Sequence, residues 1–231
     1  MKLPLSNRLL ACCSFVRLHD RVADVGCDHG YLGIHLLQSG IASSVIAADI
    51  NEMPLQSAKE NAVKFGVQDR IFFYRSDGVR QLPRDFDCMV CAGMGADTMI
   101  SILEAAPWLQ SSRFRLILQC QSKRPELRRY LAAGGFSISR ETLAKDGKFI
   151  YPIMEVRYAP GEAPAPWEYY ITPQLVADGS PLLLPFLRRV IGGVEDTLLG
   201  QQHSGIFDRE TEEIHRHLLE LERSIACDDS K

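Results

Sequence analysis

The segment Arg21-Val22-Ala23-Asp24-Val25-Gly26-Cys27-Asp28-His29-Gly30-Tyr31-Leu32 joins a short β-rich run to a turn that contains two glycines. This pattern is typical of a strand that ends at a tight connection. In open α/β folds, the turn after the first strand lies at the carboxyl edge of the sheet, where ligands bind. The segment therefore predicts the first strand and the ligand-binding turn of a parallel sheet.

Outward from this segment, strand-like and helix-like stretches alternate. Further β-rich runs lie at 44–48, 71–74, 88–91 and 114–118, and helical periodicity is present at 54–65, 98–106 and 125–133. Two more β-rich segments, 136–142 and 149–158, flank Asp146-Gly147, which is a strong hairpin signal. The alternation predicts an α/β fold with a seven-stranded, mostly parallel sheet that an antiparallel hairpin closes.

A change in composition and charge divides the chain near residue 159. The stretch 159–166 is rich in proline and alanine, which is typical of a linker. Residues 1–158 hold 20 Lys/Arg and 16 Asp/Glu, a net charge of +4, whereas residues 159–231 hold 6 and 13, a net charge of −7. Apolar residues at helical spacing in 183–198 and 214–225 predict two antiparallel helices joined by a turn at 200–208. We expect an α/β domain over 1–158 and a small helical domain over 159–231.

Overall composition excludes several classes of protein. The 231 residues are 46% hydrophobic and 24% charged, which does not fit a disordered or fibrous chain. The longest apolar stretch, within 41–50, is too short to span a membrane, so no membrane association is expected. Seven cysteines, an odd number, favour a reducing compartment and hence the cytoplasm.

Apolar residues at helical spacing near the N-terminus predict an amphipathic opening helix.

Acidic residues follow three of the predicted strands. Asp24 ends the first strand, Asp49 ends the second at 23 positions beyond Gly26, and Asp77 follows the third in Ser76-Asp77-Gly78. A carboxylate such as that of Asp49 can accept hydrogen bonds from both hydroxyls of a ribose, and one such as that of Asp77 can accept one from the adenine amino group. Each acid alone is equally well explained as a solvated turn residue; together they predict a nucleoside-containing cofactor.

The identity of the cofactor follows from the turn after strand one. Nicotinamide dinucleotides require the spacing G-x-G-x-x-G, but the middle glycine position here is Asp28. A carboxylate at this position repels a pyrophosphate and attracts the amino group of S-adenosylmethionine. The predicted cofactor-binding residues are Asp24, Gly26, Cys27, Asp28, Gly30, Asp49, Ile50, Ser76, Asp77, Gly78 and Gly93.

Four motifs, in order and spacing, resemble the bacterial tRNA (adenine-22-N1) methyltransferases, which are class I S-adenosylmethionine-dependent enzymes with a Rossmann-like domain and a small helical domain. These motifs are Leu5-Ser6-Asn7-Arg8-Leu9, the segment 24–32, Cys91-Ala92-Gly93-Met94-Gly95, and Leu127-Arg128 through Leu131 before Gly135-Phe136. The chain departs from that family at two places. The family sequence G-M-G-G is replaced by Gly93-Met94-Gly95-Ala96, and the family sequence Q-P-N is replaced by Gln119-Cys120-Gln121. The resemblance covers residues 3 to 158 and implies methyl transfer to adenine N1 in tRNA.

The chemistry of adenine N1 indicates which residues could assist the reaction. Its in-plane lone pair can attack a sulfonium methyl group without a strong base, so orientation and a carboxylate near N6, where positive charge develops, are the main requirements. Asp28 and Asp97 are the predicted acids and His29 is a further catalytic candidate. The alternatives are a helix cap for Asp97 and a packed loop residue for His29.

Contacts with the substrate are expected on the same side of the sheet. Met94 and Gly95 could form the floor under a flipped base, and Tyr31 could stack on it, since enzymes that modify a base must unstack it. The alternative for Gly93 and Gly95 is a plain turn. Phosphate contacts are predicted for a basic cluster that could equally be a solvated helix face: Lys123, Arg124, Arg128 and Arg129.

Other functions remain open on the sequence alone. A non-catalytic module that binds S-adenosylmethionine or RNA could share this fold, and so could a small-molecule methyltransferase. No metal is expected, because Cys88 and Cys91 have C-x-x-C spacing within a strand, where such residues face opposite sides. The chain is expected to be a monomer or a weak homodimer.

Overall fold

A seven-stranded sheet organises the first part of the chain in the computed structural model, which describes residues 3–205 and 207–228. The strands are β1 (Asp20–Val25), β2 (Ala42–Asp49), β3 (Ile71–Arg75), β4 (Cys88–Met94), β5 (Arg115–Cys120), β6 (Phe136–Asp146) and β7 (Phe149–Tyr158). Their order is β3-β2-β1-β4-β5-β7-β6. β1 to β5 are parallel, and β7 is antiparallel to both β5 and β6. The predicted fold class is confirmed.

Helices cover both faces of the sheet, as a doubly wound fold requires. They are α1 (Asn7–Cys13), α2 (Tyr31–Gln38), α3 (Glu52–Lys64), α4 (Ala96–Glu104) and α5 (Arg124–Ala133). Each face has its own apolar core, so alternate residues of β1 belong to different cores, with Val22 in one and Ala23 in the other. The sequence pattern missed α2 as a separate helix.

Contacts divide the chain into two compact units, Met1–Gly161 and Glu162–Lys231. The predicted linker, 159–166, spans this division. The second unit contains α6 (Pro173–Ala177), α7 (Leu183–His203) and α8 (Arg209–Asp228).

The helices α7 and α8 pair antiparallel. Arg188 Nε lies 2.7 Å from Glu222 Oε1, and His215 Nε2 lies 3.2 Å from Glu195 Oε1, so the partners run in opposite directions. Buried apolar residues of α7, such as Leu187 and Ile191, face inward as their spacing predicted. The turn predicted at 200–208 is shorter, because α7 continues to His203; residue 206 lies outside the described residues.

One predicted phosphate contact is wrong. The Arg128 side chain is only 2% exposed and forms an ion pair with Glu141 on β6, which is fully buried. This guanidinium joins α5 to the hairpin strand and is inaccessible to a nucleic acid. Arg128 is buried because it lies on the inward face of α5, together with Leu127 and Leu131.

We expect Arg128→Met to lower the free energy of unfolding by about 3–5 kcal/mol, because Glu141 would keep its buried charge without this guanidinium. Chemical denaturation measures the loss. The double variant Arg128→Met/Glu141→Leu should recover most of it, since an apolar pair of similar volume removes the buried charge. A loss below about 1 kcal/mol in the single variant would contradict this role.

Candidate functional site

A cavity of about 740 Å³ opens at the carboxyl edge of the parallel strands. Its walls come from the turn after β1, the ends of β2, β3 and β4, the first turns of α2 and α4, and Arg8 and Leu9 of α1. Residues from distant parts of the sequence meet here because all five parallel strands end at this edge.

The turn after β1 is fixed by the neighbouring strand. The backbone N–H groups of Gly26 and Cys27 both donate to the carbonyl of Ala48, at 2.8 and 2.9 Å. Gly26 has a φ of +75°, and a Cβ at this position would collide with the methyl group of Met94. The positive φ favours glycine here, whereas the contact with Met94 involves the end of a flexible side chain that can move aside.

Asp49 connects this turn to the end of β2. Its Oδ1 accepts a hydrogen bond from the N–H of Asn51 at 2.9 Å, and its Oδ2 accepts one from the N–H of Asp28 at 3.4 Å. Each oxygen has a second lone pair, so the carboxylate can still receive two hydroxyl groups. The structure thus presents a fixed, bidentate acceptor to the cavity.

Asp24 is the buried acid of the site. Its side chain lines the cavity, and its Oδ2 has no hydrogen-bond partner among the described residues. Burial raises the pKa of Asp24 from 3.8 to about 7; a hydrogen bond from the backbone N–H of Gly33 opposes this rise, and the neighbouring charge of Asp49 adds to it. A buried carboxylate oxygen without a partner favours a cationic or hydrogen-bond-donating ligand beside it.

The end of β3 forms a compact loop around Gln81. The side-chain oxygen of Gln81 accepts hydrogen bonds from Ser76 Oγ at 2.9 Å and from the Asp77 N–H at 3.0 Å. Gly78, with a φ of +58°, packs so tightly against Ile102 of α4 that a Cβ would lie 2.8 Å from it. Ser76, Asp77 and Gly78 all line the cavity, as predicted.

At the end of β4, Gly93 lies directly beside the guanidinium of Arg8. A Cβ at Gly93 would lie 3.2 Å from Arg8 Nη1. Gln119 joins the two residues, because its Oε1 accepts from Arg8 Nη1 at 3.0 Å and from the Gly93 N–H at 3.1 Å. Arg8 is the one lysine or arginine among the described residues that line the cavity, so a single cation faces five aspartates.

The two predicted catalytic acids have different surroundings. Asp28 has a φ of +48° and a side chain that is 71% exposed, and its Oδ1 lies 3.7 Å from Nε2 of His29. Asp97 lies in the first turn of α4 and forms an ion pair with Lys123 Nζ at 2.8 Å, which raises the pKa of Lys123. The suggested capping role of Asp97 is wrong, because the N-cap of α4 is Gly95.

Most predicted site residues line the cavity. They include Cys27, Ile50 and Met94, together with His29 and Tyr31, whose rings lie 5.7 Å apart. The remaining ones stand outside its lining: Gly30, Gly95, Lys123, Arg124, Arg128 and Arg129. Gly30 instead caps α2 and lets it approach α3, since a Cβ there would lie 3.0 Å from the Cβ of Ala58.

Sequence reasoning missed the contribution of Arg8, Asn51 and Gln119 to the site. Arg8 lies in the motif Leu5-Ser6-Asn7-Arg8-Leu9, which carried part of the resemblance, and that was the available signal. Gln119 is fully buried at the end of β5, where only the fold shows that its side chain reaches Gly93.

The described ranges, 3–205 and 207–228, lack two features. They contain no group of three or more His, Cys, Asp or Glu side chains arranged to hold a metal ion. No helix among them has the length and apolarity needed to cross a bilayer.

Comparison with known proteins places this fold and site in a family. The family model described as a methyltransferase domain matches residues 5–154. The chain belongs to this methyltransferase family. The match covers β1 to β5, most of the hairpin and every wall of the cavity.

Individual methyltransferases share this similarity. The chain is 32% identical over 149 residues to the tRNA (adenine(22)-N(1))-methyltransferase of Bacillus subtilis, covering 64% of this chain and 63% of that protein. It is 35% identical over 140 residues to a candidate tRNA methyltransferase of Mycoplasma genitalium, covering 58% and 61%. The alignments thus span about three fifths of these curated relatives.

A solved structure extends the similarity over nearly the full length. A candidate tRNA (m1A22) methyltransferase of Streptococcus pneumoniae, solved in complex with S-adenosyl-L-methionine, is 27% identical, with a TM-score of 0.82 and coverage of 94% of this chain and 99% of that one. The resemblance inferred from the sequence motifs is confirmed.

We expect the raised pKa of Asp24 to destabilise the ligand-free methyltransferase as pH increases. The folded state holds the proton up to about pH 7, whereas the unfolded state releases it near 3.8. The contribution of Asp24 to the free energy of unfolding is therefore present at low pH and is lost as pH rises through about 7. Between pH 5 and 8 the free energy of unfolding should fall by about 2–3 kcal/mol. Denaturant titrations at several pH values should show this decrease for the wild type relative to Asp24→Asn. Parallel pH profiles of the two proteins would exclude the buried proton.

Proposed function

We propose that this chain transfers a methyl group from S-adenosylmethionine to N1 of an adenine in tRNA, at position 22 in the D-loop region. The observation that carries the proposal is the single cavity in which Asp24, Asp49 and Asp77 meet beside the Gly93-Met94 turn. The similarity to the Bacillus subtilis enzyme supports the choice of tRNA and of the adenine position.

The residues of the cavity fit S-adenosylmethionine. The unpartnered, buried Oδ2 of Asp24 would hold the amino group of the methionine moiety, and Arg8 lies where it could hold the carboxylate. Asp49 would accept the ribose hydroxyls, and Asp77 the adenine amino group. An acidic cavity also suits a ligand that carries a sulfonium and an ammonium group.

We expect Asp49→Ala to weaken S-adenosylmethionine binding by about 1.5–3 kcal/mol for each charged hydrogen bond that is lost. Isothermal titration calorimetry measures this change. Asp69→Ala is the matched control, because Asp69 is an exposed aspartate outside the cavity lining and should leave affinity unchanged. Equal affinities for both variants would remove Asp49 from the proposed site.

The cofactor supplies an electrophilic methyl group, and the protein has to orient the adenine and stabilise the charge that forms on it. Gly93 and Met94 line the cavity next to the turn after β1, where a flipped base could lie. The exposed carboxylate of Asp28 is positioned at the same turn to accept a hydrogen bond from N6 as N1 becomes positively charged. His29 and Tyr31 would border the base.

Asp28 is favoured over Asp97 as the charge-stabilising acid, because the Asp97 carboxylate is already compensated by Lys123. We expect Asp28→Asn to reduce the methyl-transfer rate by about two to three powers of ten while the affinity for the donor stays nearly intact. Asparagine also tolerates the positive φ of this position, so the turn should persist. Single-turnover kinetics with saturating donor measures the rate.

Asp97→Asn is the comparison variant for this experiment. A large loss of rate in Asp97→Asn with none in Asp28→Asn would reverse the assignment. If Asp28 instead holds the amino group of the donor, the affinity for the donor should fall first, and the rate at saturation should largely recover.

The proposal extends to the remaining parts of the chain. Residues 1–158 would carry cofactor and substrate binding, and Lys123, Arg124 and Arg129 would contact phosphates. Residues 159–231, whose net charge is −7, would form a helical domain with a supporting role. We further propose that the protein acts in the cytoplasm, which suits a tRNA substrate, and that it is a monomer or weak homodimer.

The direct test is incubation of the full chain with labelled S-adenosylmethionine and unmodified tRNA, followed by nucleoside analysis for 1-methyladenosine. A matched transcript with guanine at position 22 should not be labelled. If the protein binds the donor but labels no RNA, the result would favour a non-catalytic binding module. Label found only in a small-molecule fraction would favour a small-molecule methyltransferase. Either outcome would overturn the proposal.

A further inference from the structure

The β6–β7 hairpin projects beyond the rest of the sheet at the edge where the cavity opens. Pairing of β5 with β7 ends at Leu118 opposite Met154, and β5 itself ends two residues later, at Cys120. Pairing of β6 with β7 continues to Asp146 opposite Phe149. At about 3.3 Å per residue, the two-stranded ribbon therefore extends about 10 Å past the end of β5.

Helix α1 braces this ribbon against the cavity. Asn7 Nδ2 donates to the carbonyl of Lys145 at 3.0 Å, and Arg8 Nε lies 3.5 Å from Asp146 Oδ2. Ala144 and Ile153 are buried in the same apolar core as α1. Since Arg8 itself lines the cavity, one arginine side chain spans the distance from the ribbon to the site.

The end of the ribbon, residues 145–151, is hereafter the hairpin tip, and it presents aromatic rings next to ammonium groups. Phe149 is 46% exposed, and its ring centroid lies 6.1 Å from that of Tyr151, two residues along the same strand. Lys148 Nζ lies 5.3 Å from the Phe149 ring centroid, and Lys145 is exposed. Aromatic faces beside cations are the usual platform for unpaired nucleotides, with the ring stacking on a base and the cation close to a phosphate.

We propose that the hairpin tip is a docking surface for RNA, on which an unpaired nucleotide near the target base stacks. This inference rests on the proposed function and adds to it the place where the substrate is held. Three observations favour RNA as the occupant: the lysines suit a polyanion, the aromatic pair suits a nucleobase, and the surface is continuous with the cavity through Arg8.

A base that must be flipped into the cavity needs its neighbours to be held outside it. The tip can supply this, because Asn7 and Arg8 of α1 hold it and Arg8 also lines the cavity. The basic cluster on α5 is less suited to the same task, since Arg128 is buried and Lys123 is engaged by Asp97.

The test uses two double variants of the full chain, Phe149→Ala/Tyr151→Ala and Lys145→Gln/Lys148→Gln. The matched aromatic control is Phe72→Ala, because Phe72 is 50% exposed and lies on β3, at the opposite end of the strand order. The matched cationic control is Lys59→Gln/Lys64→Gln on α3, where both lysines are exposed. The measurements are the Kd for unmodified tRNA at several salt concentrations and the Kd for S-adenosylhomocysteine.

We expect the aromatic double variant to bind tRNA about fivefold more weakly or worse, since this factor is the lower end of what stacking of one base contributes. The lysine double variant should bind more weakly and show a shallower salt dependence, by about 0.7–0.9 for each lost phosphate contact. Affinity for S-adenosylhomocysteine should be unchanged in both, which also shows that the variants are folded. The controls should behave as the wild type.

Equal tRNA affinity in the tip variants and their controls would overturn the inference while leaving the proposed function intact, provided that the wild type methylates tRNA. A wild type that binds S-adenosylhomocysteine but neither binds nor methylates tRNA would overturn both. The aromatic variant could lose tRNA binding while the lysine variant keeps the salt dependence of the wild type. That result would reject the phosphate contacts of the lysines and retain the stacking surface.

Discussion

The carbonyl of Ala48 accepts two hydrogen bonds, from the N–H groups of Gly26 and Cys27, and the remainder of the site depends on this attachment. It fixes the turn after β1 to the end of β2. Once this turn is fixed, the N–H of Asp28 can reach Asp49, and Asp28, at a φ of +48°, keeps an exposed side chain in the cavity lining. One acceptor thus influences the relative positions of two cavity carboxylates, one in the turn after β1 and one at the end of β2.

Burial gives chemically identical side chains different properties around this turn. Asp24 is enclosed, and burial raises its pKa to about 7. Asp28 is mostly exposed and lies next to His29, whereas Asp97 is compensated by Lys123. The different roles proposed for the three acids follow from these surroundings and cannot be read from residue type alone.

The mostly parallel sheet, its closing hairpin and the acidic strand ends could be predicted from the sequence because they depend on local pattern; the strand order could not. Alternating β-rich and helical stretches define the sheet, and parallel strands must bring Asp24, Asp49 and Asp77 to one edge. The fate of Arg128 could not be predicted in the same way. Lys123, Arg124 and Arg129 lie close to Arg128 in the sequence and suggested a basic cluster. The helical period of α5, however, places Arg128 on the inward face, where it pairs with Glu141 on β6. Arg8 was missed for a similar reason, since its contact with Gln119 joins residues separated by 111 positions.

Arg8 also shows why the N-terminal helix is part of the site and not a peripheral addition. Its guanidinium contacts Gln119 at the end of β5, lies against Gly93 at the end of β4, and pairs with Asp146 in the hairpin. A side chain tied to three elements loses its rotamer freedom before any ligand arrives, so little further ordering is required on binding. The same contacts tie the projecting hairpin to the cavity wall. A nucleotide held on the hairpin tip and a cofactor held in the cavity would therefore be positioned by one rigid frame, which is the geometric requirement for in-line transfer between two separately bound molecules.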